Sequence, residues 1–151
     1  DRSHGGGGAH LGSIVTAERL LTAVQVANYL QGVKHVVFAT VNSRGEPMAA
    51  PLDGWFIHGR FLVGTAASAV RVRHVRRNPA VSLAHVVGDD IGIWVHGHAR
   101  LVERDDPLAQ DYERLVTAAY GGSPYSLGEI AVMPIEARVM FAYAPDPSKY
   151  P

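Results

Sequence analysis

The chain contains no cysteine. That absence excludes disulfides, thiolate-bound metals and thiol nucleophiles together, and it agrees with a reducing compartment. There is no net charge either: fourteen Lys and Arg balance fourteen Asp and Glu. The molecule as a whole therefore has no electrostatic reason to take nucleic acid or an anionic membrane as partner. No apolar run approaches the roughly 18 residues that a bilayer-spanning helix needs. The start of the chain lacks the charged-then-apolar pattern of a secretion signal, so a cytoplasmic protein is expected. Internal repeats, a nucleophile–histidine–acid constellation and paired carboxylates are also missing.

What is present suits one small globular domain. The 151 residues are 47% hydrophobic and 19% charged, and a chain of this length buries roughly two-thirds of its unfolded surface. Residues 1–13, DRSHGGGGAHLGS, have no periodicity and too little apolar surface to offset the entropy of ordering. They read as a flexible arm or an expression remnant, and their histidines are not read as a metal site. The domain is expected to occupy 14–151.

The pattern from Thr16 is helical, with Thr16 as N-cap, Leu20, Val24, Ala27 and Leu30 at helical spacing, and Gly32 as the stop. Residues 36–41, 48–57 and 60–65 then read as three strands joined by Asn42-Ser43-Arg44-Gly45 and His58-Gly59. Pro47 and Pro51 argue for an edge or a bulge in the second of these. A short helix is predicted over 67–77, closed by Asn78-Pro79, followed by a hairpin of 81–87 and 91–102. Asp106-Pro107 opens another helix as cap and first turn. Its buried stripe is predicted to be Leu108, Tyr112, Leu115, Val116 and Ala119. A loop over 123–133, a last strand over 135–143 and an extended tail complete the chain. The fold class is mainly β (α+β): a six-stranded antiparallel split β-barrel with flanking helices, closed so that no edge strands remain.

The stretch most suggestive of chemistry is TAASAVRVRHVRRNP, residues 65–79. A strand runs into a small-residue turn and then into a helix start, with Thr65, Ser68 and Arg71 close together in sequence. Hydroxyls and free amides at a helix N-terminus, with a guanidinium one turn on, form the outline of a phosphate site. Arg76 and Arg77 read instead as a solvated helix face. A single short basic patch without interleaved aromatics does not describe a nucleic-acid surface. His96 and His98 form an H-x-H on one strand face, and His85 on the neighbouring strand is an imaginable third ligand. Without a carboxylate at ligand spacing, no metal is assigned. Tyr112, Tyr120 and Tyr125 are candidates to line a substrate cleft.

The segments ATVNSRGEPMAAP, GTAASAVRVRHVRRNPAVSL and VHGHARLVE, in this order and spacing, resemble the pyridoxamine 5′-phosphate oxidase-like split-barrel family, whose members include flavin and deazaflavin oxidoreductases. The resemblance implies that the strand segment at Thr40 and the residues Pro51, Leu52 and Asp53 lie beside a tricyclic ring. It implies a cofactor contact at Thr65, a second at Ala69 where many members carry a hydroxyl, and a phosphate contact at Arg71. His74 stands where the family often has Asn, and Trp94 is implied to reach the ring pocket across a dimer interface. Val70-Arg71 replaces the Arg-Lys pair of the oxidases, which points to the FMN- or coenzyme F420-using branch rather than to pyridoxamine phosphate oxidation.

The expected activity is thus a flavin- or deazaflavin-dependent oxidoreductase acting on a small organic substrate, with a non-catalytic flavin, deazaflavin or haem binder as the alternative. The cofactor carries the hydride chemistry, so no catalytic side chain is assigned. A homodimer is expected because six strands make a barrel too thin to enclose a ring. Ile91, Ile93, Trp94 and Val95 are expected to supply its apolar interface.

Overall fold

The computed structural model describes residues 16–151; the arm predicted over 1–13 lies outside them. Six antiparallel strands, β1 (Lys34–Val41), β2 (Pro47–Ile57), β3 (Arg60–Ala66), β4 (Ala80–Val87), β5 (Ile91–Ala99) and β6 (Ile130–Tyr143), close into one barrel in the order β1-β2-β3-β6-β5-β4. Three α-helices accompany them: α1 (Ala23–Tyr29), α2 (Val70–Arg77) and α3 (Pro107–Tyr120).

Period-two alternation sends Val36 and Phe38, Phe61 and Val63, Leu83, Ile93 and Val95, Met133 and Ile135 inward, where each is almost wholly buried. The barrel interior is filled by these side chains. The turns follow from local chemistry. His58 and Gly59 both adopt positive φ, 52° and 77°, the conformation a two-residue hairpin needs to match strand twist.

α1 and α2 close opposite ends. Tyr29 of α1 donates its hydroxyl proton to His85 Nε2 at 2.7 Å, because His85 Nδ1 is already the donor to the His35 carbonyl, also at 2.7 Å. At the other end of β1, the Thr40 hydroxyl meets His74 Nδ1 of α2 at 2.8 Å, and both residues are buried. α3 lies across the outside of β2, β3 and β6, where Trp55, Leu62 and Val132 pack against Ala109 and Tyr112. Of its predicted stripe, Leu108, Tyr112, Leu115 and Val116 join this cluster, while Ala119 is exposed.

Several element boundaries differ from the sequence reading. The first α-helix starts at Thr22, not Thr16. Thr22 and Gln25 form a reciprocal capping box at 3.2 and 2.9 Å, and upstream Leu20 and Leu21 pair with the end of β6. Residues 17–19 form only a single 3-10 turn. α2 starts at Val70, which leaves Ser68 and Ala69 in the preceding turn. β6 starts at Ile130, inside the predicted loop, because Ile130 to Ile135 find partners along β3. The predicted extended tail contains a 3-10 turn over 147–149, capped by Asp146.

Candidate functional site

β2 and β3 are paired only from Gly54↔Val63 to Ile57↔Arg60. Beyond that point β2 follows β1 and β3 follows β6, so the barrel wall opens into a seam. Pro47 and Pro51 fall on the part of β2 bonded to β1 alone, the edge position in which a missing N–H costs nothing. Pro51, Leu52 and Asp53 border one side of the seam and Thr65 the other.

At the Thr65 side, β3 turns into α2 through Ala66–Ala69, held by the Ala69 amide on the Ala66 carbonyl at 2.9 Å. Arg71 Nη1 donates to Thr65 Oγ1 at 3.3 Å. Ala69 is the N-cap residue and has no side chain able to cap, so the first amides of α2 are not covered by it. Arg71 has no carboxylate partner among the described residues. Ser68 is exposed in the turn, and Arg73 Nη1 reaches its carbonyl at 3.5 Å. Hydroxyls, amides and an unneutralised guanidinium thus meet at one helix entrance.

The other predicted residues are placed differently. Leu52 points inward and packs on the core. Asp53 points outward, where its carboxylate takes His35 Nδ1 at 3.2 Å and the Tyr120 hydroxyl. Tyr112 crosses the seam above Gly64, where a Cβ would come 2.2 Å from the ring. Burial and the nearby Asp53 charge push its phenol up to about 12. Tyr120 is raised chiefly by its hydrogen bond to Asp53. Tyr125 sits apart beneath Arg104, 4.0 Å from its ring. Thr40 and His74 spend their side chains on each other inside the barrel end, so only the backbone at Thr40 can serve a ligand on the outer face.

Trp94 lies elsewhere, on the outer face of β5. One register row crosses five strands there: Pro51, Val37, Ala84, Trp94 and Phe141. The next row is Ala49, Ala39, Ser82, His96 and Val139. Trp94 stacks on Phe141 with centroids 5.1 Å apart, and no helix of the described chain is packed over these rows. The interface expected from four β5 residues needs correction. Ile91, Ile93 and Val95 are 2%, 0% and 1% exposed, because alternation turns them into the barrel. Only Trp94 faces out, and the apolar surface comes from neighbouring strands instead. The imagined third metal ligand fails for the same reason: His85 faces inward, opposite to His96 and His98.

A closed six-stranded antiparallel barrel with flanking helices, parted at one seam, defines a small split barrel. The family model for pyridoxamine 5′-phosphate oxidase matches residues 23–145, and the chain belongs to that family. No curated protein matches the sequence. Among solved structures, a conserved hypothetical protein of Mycobacterium tuberculosis is similar at 20% identity and a TM-score of 0.74, over 90% of this chain and 92% of that one. An F420 reductase is similar at 19% identity and 0.59, over 74% and 91%. An FAD-binding protein of Mesorhizobium loti is similar at 16% and 0.64, over 83% and 94%. Likeness at such identities speaks for the fold alone. No described helix is long and apolar enough to cross a membrane.

Proposed function

We propose that this protein is an oxidoreductase that uses FMN or coenzyme F420 on a small organic substrate. The observation that carries this reading is the seam, where Arg71, without a carboxylate partner among the described residues, meets Thr65 at a helix entrance whose turn carries Ser68. Arg71 and the uncapped amides suit a phosphate, with guanidinium and amide N–H groups donating to its oxygens. Ala69 contributes its backbone only. Pro51, Leu52, Asp53 and the strand segment at Thr40 would flank the ring, with Leu52 behind it in the core. Bound cofactor would supply hydride transfer. The chain's task is then to grip the phosphate, orient the ring and keep water from it. Thr40 and His74 act as positioning residues, tying α2 to β1.

The protein works as a homodimer in this reading. The interior is full, so a ring must bind outside, and the open rows through Val37, Ala84, Trp94 and Phe141 form a self-complementary apolar face for a second copy. Trp94 would thereby approach the partner's ring. In a second reading the chain binds such a cofactor without turning it over, since the groups at the seam suit a phosphate and none is assigned to a chemical step.

Calorimetric titration with FMN and with coenzyme F420, followed by sedimentation, tests the proposal. Tight binding of one cofactor by a dimer is expected. Binding of neither, or tight binding by a monomer, overturns it. Reoxidation of the bound, reduced cofactor by an added acceptor separates enzyme from binder.

A further inference from the structure

The pairing of β5 with β6 is interrupted at one point. His96 opposes Val139 and Gly97 opposes Ala137, so Arg138 is an extra residue in β6. A bulge of this kind puts two consecutive residues on one face and re-aims a side chain. Before the bulge the even-numbered residues of β6 face outward, as Val132 does under α3; after it the odd-numbered ones do, as Phe141 does against Trp94. Arg138 and Val139 therefore share the outer face. The neighbouring strand accommodates this only through glycine, since a Cβ on Gly97 would lie 2.0 Å from the Glu136 carbonyl oxygen.

Arg138, exposed on this face, lines an open cleft of about 250 Å³ whose walls also include Thr40, Pro47, Ser82, His96 and His98. No carboxylate lines it. Glu136, which pairs with His98 in register, turns instead to Arg60 at 3.0 Å and Arg100 at 3.9 Å. Arg138 has no ion-pair partner among the described residues. Ser82 Oγ lies 2.7 Å from His96 Nδ1. When the hydroxyl donates there, Nε2 carries the ring proton and becomes a donor. A guanidinium and an imidazole donor thus border a cleft with more room than a bare ion fills.

We propose that this cleft is a binding subsite for an oxyanion, the carboxylate or phosphate of a small organic molecule, with Arg138 as the principal contact and His96 and His98 as further donors. The site is distinct from the helix entrance at Arg71, whose residues do not line it. The cleft shares the strand segment at Thr40 with the ring site proposed above, but its anion contacts come from β5 and β6 and need no cofactor.

The test uses the full chain without added cofactor. The ring signals of His96 and His98, assigned with His96→Gln and His98→Gln, are followed by NMR during titration with inorganic phosphate and with glutarate at constant ionic strength. Saturable shifts with at least one anion are expected, and the anion that saturates identifies the group. Arg138→Ala should weaken binding about tenfold or more, the loss of a charge-assisted contact. Arg138→Lys should weaken it less, since it keeps the charge and loses the planar fork. Sedimentation and circular dichroism of each variant confirm that fold and assembly are intact. Shifts that stay linear to the highest concentration for both anions, or an Arg138→Ala variant that binds as wild type, overturn the proposal.

Discussion

The outer surface of the barrel is finished in two different ways. Over β2, β3 and β6, α3 lays Ala109, Tyr112 and Leu115 against Trp55, Leu62 and Val132, and Leu62 and Val132 are fully buried. Over β1, β4 and β5, equally regular strands present Val37, Ala84 and Trp94 in register with no helix above them, and Val37 is 49% exposed. The strands alone do not distinguish the two faces, since both alternate and both point apolar side chains outward. The difference lies in whether the chain supplies its own cover. A face covered by the chain contributes to folding. A face left open contributes little to the monomer and is available for assembly or ligand.

Substitutions on each face should separate these roles, and the covered face should give the larger effects. Leu62→Ala removes a fully buried side chain from beneath α3 and is expected to cost about 3 kcal/mol, read as a fall in the denaturant midpoint. A loss below about 1 kcal/mol would mean that α3 is not a structural cover.

Raising the pH should loosen the same face. The Tyr112 phenol is pushed up to about 12 in the folded chain, against about 10 when unfolded. A raised folded value stabilises fully below pH 10, and the contribution is lost as pH climbs from about 10 to about 12. After allowance for screening this amounts to no more than about 2 kcal/mol. Tyr112→Phe should flatten the stability profile across that window, and an unchanged alkaline slope would count against it.

At the seam between β2 and β3, Arg71→Ala is expected to weaken binding of FMN or coenzyme F420 by about 1–3 kcal/mol, with the denaturant midpoint unmoved. Unchanged affinity for both would remove the phosphate assignment. The smallest effect on folding is expected on the open face. Val37→Asp should cost the monomer under about 1 kcal/mol, yet shift sedimentation from dimer to monomer. A variant that stays dimeric would show that the second copy docks elsewhere.

Much of the fold was legible in the chain. The six strands, the His58-Gly59 turn and the Asp106-Pro107 cap all stand where local chemistry put them, whereas the inward turn of Ile91, Ile93 and Val95 was not read from it. The Thr22–Gln25 capping box was also written in the sequence, but the apparent helical spacing from Thr16 concealed it. Pairing of Leu20 with Tyr143 decided against that longer helix, a contact between residues far apart in sequence. Of the candidate site, the Thr65–Arg71 entrance was visible because its residues are close in sequence. Arg138 was not, because a bulge is a property of two strands and leaves no mark in one.

Within an uninterrupted strand or helix the sequence by itself determined which residues share a face, since strand period two and helix period 3.6 are local consequences of backbone geometry. It also determined the turns, and a basic helix entrance after a small-residue turn. Only the tertiary structure decided what each face meets. It turned Thr40 and His74 toward each other in the barrel end, gave Asp53 to His35 and Tyr120, and set Arg138 on the wall of a cleft with His96. Those outcomes depend on strand register and on where α3 lands, which are set by packing among residues distant in the chain, and period alone cannot encode them.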